Sequence, residues 1–170
     1  MQLMPKPAPG FDDPLGLLRA CHERILGHCD TLERLVSHLQ QHGADPDAQQ
    51  AALRILHYFQ VGAPLHHADE ERDLFPVLCA HPDFPAAQRA VQENLAAQHR
   101  ELDQLWIQLE AALQAVSRGT PSDLPVPAFV ALTRAHIVLE EREIFPLAER
   151  YLDAAALAVL SRAMQARRQI

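Results

Sequence analysis

Four stretches of this chain repeat apolar residues at steps of three and four, and each holds one histidine in the middle of its apolar stripe. The first runs through Leu15, Leu18, His22, Ile25, Cys29, Leu32, Val36 and Leu39, and the second through Ala52, Ile55, Phe59, His66, Glu70 and Leu74. The third is Val91, Leu95, His99, Leu102, Trp106, Leu109, Leu113 and Val116, and the fourth carries Leu132, His136, Leu139, Glu140 and Ile144. This is the period at which an α-helix repeats its face, so each stretch predicts an amphipathic helix that must bury its stripe. Any fold built from them has to take four imidazoles into its interior. One buried histidine is commonly a core residue with a satisfied hydrogen bond, but four without partners would cost several kcal/mol of desolvation.

Local signals bound the helices. Asp12 and Asp13 ahead of Pro14 read as a cap followed by a first-turn proline, and Gly43 reads as a stop. Asp45 and Pro46 repeat the start signal, and the second helix runs toward Leu78 with Pro64 inside it, which predicts a kink just before His66. Asp83 is expected to cap the third helix and Gly119 to end it. A shorter fourth helix follows an extended loop over 117–126, and Asp153 is expected to cap a short terminal helix through Met164. Strand signals are nearly absent. The expected fold is all-α, an up-and-down antiparallel four-helix bundle with a short C-terminal fifth helix. Residues 1–11, rich in proline, read as a flexible lead-in, and 12–170 as a single domain, since this length supports one substantial core and not two.

The second and fourth helices add a carboxylate four residues after the histidine, in His66-x-x-x-Glu70 and His136-x-x-x-Glu140. A step of four advances about 40° around a helix and about 6 Å along it, so both groups point into one part of the core. Two buried anions facing each other repel unless cations sit between them. His22 stands 21 residues before Gly43 and His66 stands 20 after Pro46, which puts them at one level on antiparallel helices. There is also an internal echo. The segment from His66 to Pro76 parallels that from His136 to Pro146 class for class, and His22-Glu-Arg-Ile25 parallels His99-Arg-Glu-Leu102, so the bundle reads as two hairpins related by an approximate twofold. Four imidazoles with two carboxylates suit iron, manganese or zinc, and not magnesium or calcium.

Charge and hydropathy exclude other classes. The net charge is −7 and the 15 Lys and Arg are scattered, so neither nucleic acid nor a membrane surface is an expected partner. No apolar run approaches the roughly 20 residues of a membrane helix, and the segment MQLMPKPAPG has no signal-peptide core, which makes the cytoplasm the expected location. Cys21, Cys29 and Cys79 lack C-x-x-C spacing and read as reduced thiols. An apolar face of the terminal helix, Ala155, Leu157 and Leu160, offers a surface for a homodimer.

Over roughly residues 12–150 the chain resembles the hemerythrin-like, HHE cation-binding family. The resemblance rests on His22, on His66-x-x-x-Glu70-Glu71 followed by Leu74-Phe75-Pro76, on His99, and on His136-x-x-x-Glu140-Glu141 followed by Ile144-Phe145-Pro146. It implies a four-helix bundle around a non-haem di-iron centre, with Glu70 and Glu140 bridging two iron ions and zinc or manganese as substitutes. Oxygen-carrying members supply two histidines from the third helix, whereas His99 is followed four residues later by Asp103. His67 with Glu71 is the rival pair on the second helix, and the aligned Phe-Pro endings select His66 and Glu70. His67 then reads as a group supporting a ligand or as a surface residue, Glu71 and Glu141 as supporting or solvated groups, and Trp106 as core. His28, His38, His42, His57 and His81 fall off the stripes and are expected on the surface. The function expected is binding or sensing of oxygen, nitric oxide or iron. The alternatives are a di-iron redox enzyme acting on peroxide or nitric oxide, and a metal that only staples the fold.

Overall fold

Aspartate and proline open the helices where their spacing suggests. The computed structural model describes residues 9–169, so residues 1–8 of the expected lead-in lie outside the described residues. Helix α1 (Pro14–His42) starts on Asp13, whose side chain accepts from the Gly16 N–H, and ends at Gly43, where φ is 67°. Helix α2 (Pro46–His57) starts on Asp45, which accepts from the Ala48 N–H. Only glycine enters that left-handed region without a steric penalty, which is why Gly43 terminates α1.

The second rod passes Pro64 by widening. A π turn over Tyr58–Gly62 joins α2 to α3 (Ala63–Asp69), and another over Glu70–Leu74 leads into α4 (Phe75–Ala80). In each, an N–H reaches five residues back, from Ala63 to Tyr58 and from Phe75 to Glu70. Pro64 and Pro76 come one residue later, where the missing proline N–H would break an α-helical ladder. The irregularity expected before His66 takes this form.

Helix α5 (Ala86–Ser117) corrects one expectation: its cap position is Pro85, not Asp83. Phe84 precedes a proline, which keeps it out of the helical region, and its side chain is buried, so the helix cannot begin before Pro85. Helix α6 (Val126–Glu143) is separated at Ile144 from α7 (Phe145–Tyr151), which carries Pro146 in its first turn. Helix α8 (Ala154–Arg168) is capped by Asp153 and runs four residues past Met164.

Helix α1 packs on α2 and α6, and α5 packs on the same two, closing a ring of four rods; α8 lies across α1 and α3. The described residues are all-α and contain no strand. None of the described helices is long and apolar enough to cross a membrane. Leu160 is buried in the chain's own core, while Ala155 is exposed and Leu157 half-buried.

The apolar core comes in two parts. Ile25, Ala63, Leu102 and Ile137 belong to one cluster, and Leu18, Leu74, Leu95 and Ile144 to the other. Along every rod the step from one cluster to the other crosses a buried polar layer made of His22, His66, Asp69, Glu70, His99, His136 and Glu140. Asp69 is the exception in that layer, because protein cations hold it. Arg168 donates to its Oδ2 at 2.6 Å, and Arg167 donates to its Oδ1 and, at 2.6 Å, to Asp73. Arg168→Ala is expected to lower unfolding free energy by about 1–3 kcal/mol in urea melts, because it removes one of two counter-charges from a carboxylate that has no solvent. A cost below about 0.5 kcal/mol would mean the clasp is idle.

Candidate metal centre

Six side chains fill the centre of the polar layer, and all six sequence-predicted ligands are among them. They form two groups of four donors, His22, His66, Glu70 and Glu140 in one, and Glu70, His99, His136 and Glu140 in the other, with the donor atoms of each group within 4.8 Å of one another. Both groups contain both carboxylates. Glu70 presents Oε1 to His22 Nε2 (3.5 Å) and His66 Nε2 (3.2 Å), and Oε2 to His99 Nε2 (3.5 Å). Glu140 presents Oε2 to His22 Nε2 (3.1 Å) and Oε1 to His136 Nε2 (3.4 Å). Each carboxylate therefore turns one oxygen toward each pair of histidines.

The far sides of three rings are tied down. His22 Nδ1 lies 2.8 Å from Glu141 Oε1, His99 Nδ1 lies 2.6 Å from Glu71 Oε1, and His136 Nδ1 lies 2.9 Å from Gln98 Oε1. Oxygen acceptors at Nδ1 require N–H there, which leaves the Nε2 lone pair aimed at the centre of the layer. The twofold echo becomes visible in these contacts. In each Glu-Glu pair the first carboxylate faces inward, and the second fixes a histidine of the other hairpin. Arg19 holds Glu141 in turn, at 3.1 Å.

These inward atoms lack what buried polar atoms need. Both oxygens of Glu70, both of Glu140 and Nε2 of His22 make no hydrogen bond. His99 Nε2 and His136 Nε2 stand 2.9 Å apart. Two lone pairs at that distance repel, yet it is the spacing of neighbouring donors on one ion with bonds of about 2.1 Å. Four carboxylate oxygens without hydrogen bonds and convergent imidazole nitrogens in a buried layer fit divalent cations, and with no metal the imidazole of His22 is the counter-charge that faces both carboxylates.

Residues 13–148 match the hemerythrin family, described as the hemerythrin HHE cation-binding domain. The chain belongs to that family. It is also 32% identical over 174 residues to an uncharacterized protein of Haemophilus influenzae, covering 100% of this chain and 99% of the relative. As a hemerythrin-like protein, it is a metal-binding helical bundle.

In the metal-free hemerythrin-like chain, the crowding drives the ionisable groups apart. Burial opposes protonation of His22, but the carboxylates of Glu140, Glu141 and Glu70 outweigh it and push the imidazole up to about 11. Burial holds His66 and His67 well below 6.5, and burial with neighbouring His136 pushes His99 down to about 3. Burial and the nearby Glu140 hold the Glu70 carboxyl above its ordinary range. His66, His67 and His99 gain protons on unfolding below pH 6.5, so stability falls toward acid; His22 and Glu70 lose protons on unfolding above it, so stability falls toward alkali. Metal-free protein is therefore expected to melt highest near pH 6.5, and a melting temperature rising steadily to about pH 9 would contradict these assignments.

The other histidines and Trp106 divide between expected and unexpected places. His67 is half-buried and stacks on the ring of the candidate ligand His99 at 3.9 Å. His28, His38 and His81 are half-buried rather than on the surface: His28 lies against Tyr58, His38 bonds the cap residue Asp45, and His81 stacks on Tyr151. His42 and His57 are exposed. Trp106 packs against the core as expected and also lines a cavity that reaches His66 and His136. Gln98 and the Asp69 clasp were not foreseeable from spacing, because their partners lie 38 and about 98 residues away with no periodic relation.

Proposed function

We propose that the six side chains hold two iron ions bridged by Glu70 and Glu140, and that the centre reversibly binds oxygen or nitric oxide. The observation that carries this reading is the sharing of both carboxylates between the two donor groups. One ion would leave half of those donors unpaired, and two ions use them all. Iron bound here would supply a redox-active Lewis acid able to take a diatomic ligand.

The chain's own part is to hold and to exclude. Glu141, Glu71 and Gln98 fix the three rings in the tautomer that offers Nε2. The two apolar clusters above and below the layer keep bulk water from the donors. His66 and His136 form the edge open to the cavity, so a small ligand approaches from that side. Asp103, where oxygen carriers have a further histidine, leaves one donor fewer.

The test is an anaerobic titration. Protein loaded with iron(II) and then exposed to oxygen or nitric oxide should give a stoichiometric absorption change that argon sparging reverses. Consumption of many equivalents per centre would instead support the enzyme reading. A loaded protein with no spectral response would leave only a structural metal.

A further inference from the structure

A cavity of about 290 Å³ opens beside the histidine layer, between the π turn Tyr58–Gly62, α5 and α6. Oxygen or nitric oxide entering from this side needs far less room, since an apolar cavity of roughly 150 Å³ already holds benzene. A mostly apolar pocket of this size beside a candidate metal centre has the usual form of a small-molecule site.

Its walls and its two ends differ in chemistry. Phe59, Trp106 and Phe129 stand ring to ring, 5.0–5.9 Å between centroids, and all three line the cavity together with aliphatic groups such as Ile25 and Leu102. Thr133 also lines it, but its hydroxyl is already spent on the Phe129 carbonyl. At the inner end are His66, His67 and His136. At the solvent side, Gln60 donates to Glu110 at 2.6 Å, and exposed Asp103 stands nearby, so the mouth carries two carboxylates. Aromatic walls select a flat ring through edge and face contacts. The acidic mouth rejects anions, and the histidine end rewards one hydrogen-bonding group.

We propose that this cavity binds a small uncharged phenol, its ring against Phe59, Trp106 and Phe129 and its hydroxyl at the histidine edge. That the hydroxyl then meets a metal centre rests on the function proposed above, whereas binding in the cavity does not. The proposal thus adds an organic ligand class to a centre otherwise assigned to diatomic molecules.

Trp106 is the single tryptophan of the chain and lines the cavity, so its fluorescence reports on a ligand bound there. The probe is 4-iodophenol, whose heavy atom quenches on contact, titrated into the full chain before and after iron(II) loading. The expected result is saturable quenching, reversed by added phenol, with 4-iodobenzoate at least about tenfold weaker. Ala63→Leu, which puts side-chain carbons into the cavity, should weaken 4-iodophenol at least about tenfold; if that variant does not fold, Leu102→Phe takes its place. Linear, unsaturable quenching, equal affinity for the benzoate, or unchanged affinity in a folded filled variant would each overturn the proposal. Saturable quenching in a chain that holds no iron would sink the iron reading and keep this one. Iron loading without saturable quenching would do the reverse.

Discussion

Glu70→Gln protein, incubated with excess iron(II) and desalted, is expected to retain close to none of either ion, while His66→Gln retains about one per chain. The asymmetry follows from the contacts. His66 Nε2 faces one donor group only, whereas the two oxygens of Glu70 face both. A neutral amide also leaves the Glu140 charge alone to attract two dications. Loss of a residue that merely supports a ligand costs about 10–100-fold in affinity, and loss of a shared anion costs more. Elemental analysis of the desalted proteins decides between them, and equal retention by the two variants would remove Glu70 from the bridging position.

The same substitution should stabilise the chain when it is empty. With no cation, the Glu70 carboxyl is buried, unbonded and close to Glu140, which burial and charge both penalise. Glutamine at this position avoids the ionic penalty, so metal-free Glu70→Gln is expected to gain on the order of 2 kcal/mol and to melt about 4–8 °C higher. Wild-type protein shows the opposite dependence on metal. At a free concentration about 1,000 times Kd, binding adds about 4 kcal/mol, which for this length is about 8–16 °C in Tm. Scanning calorimetry with iron(II) and with a chelator should therefore show the two proteins crossing: the variant higher when empty, wild type higher when loaded. Parallel curves would show that the repulsion within the layer is already relieved by protein groups.

Most of the bundle was legible in the sequence because its decisive signals are local. Asp13, Asp45 and Asp153 each bond an N–H three residues on, and Gly43 and Gly119 take the positive φ that ends α1 and α5. The candidate ligands were legible for a related reason: a polar residue inside a 3.6-residue stripe must point where the stripe points. Asp83 misled because the proline two positions later overrules a capping side chain. What stayed hidden depends on distant partners. A stripe position cannot tell whether the facing space is filled, so Trp106 reads as core although one side of it borders a void. Nor does any spacing connect Asp69 with Arg167 and Arg168.

The decisive point is the proposed sharing of two cations by Glu70 and Glu140 in the middle of the four rods. Crystals of the full chain grown with iron(II), measured on both sides of the iron absorption edge, test it directly. The account predicts two anomalous peaks about 3.5–4 Å apart, one beside His22 and His66 and the other beside His99 and His136. A single peak, or peaks outside this layer with the six side chains left bare, would contradict it.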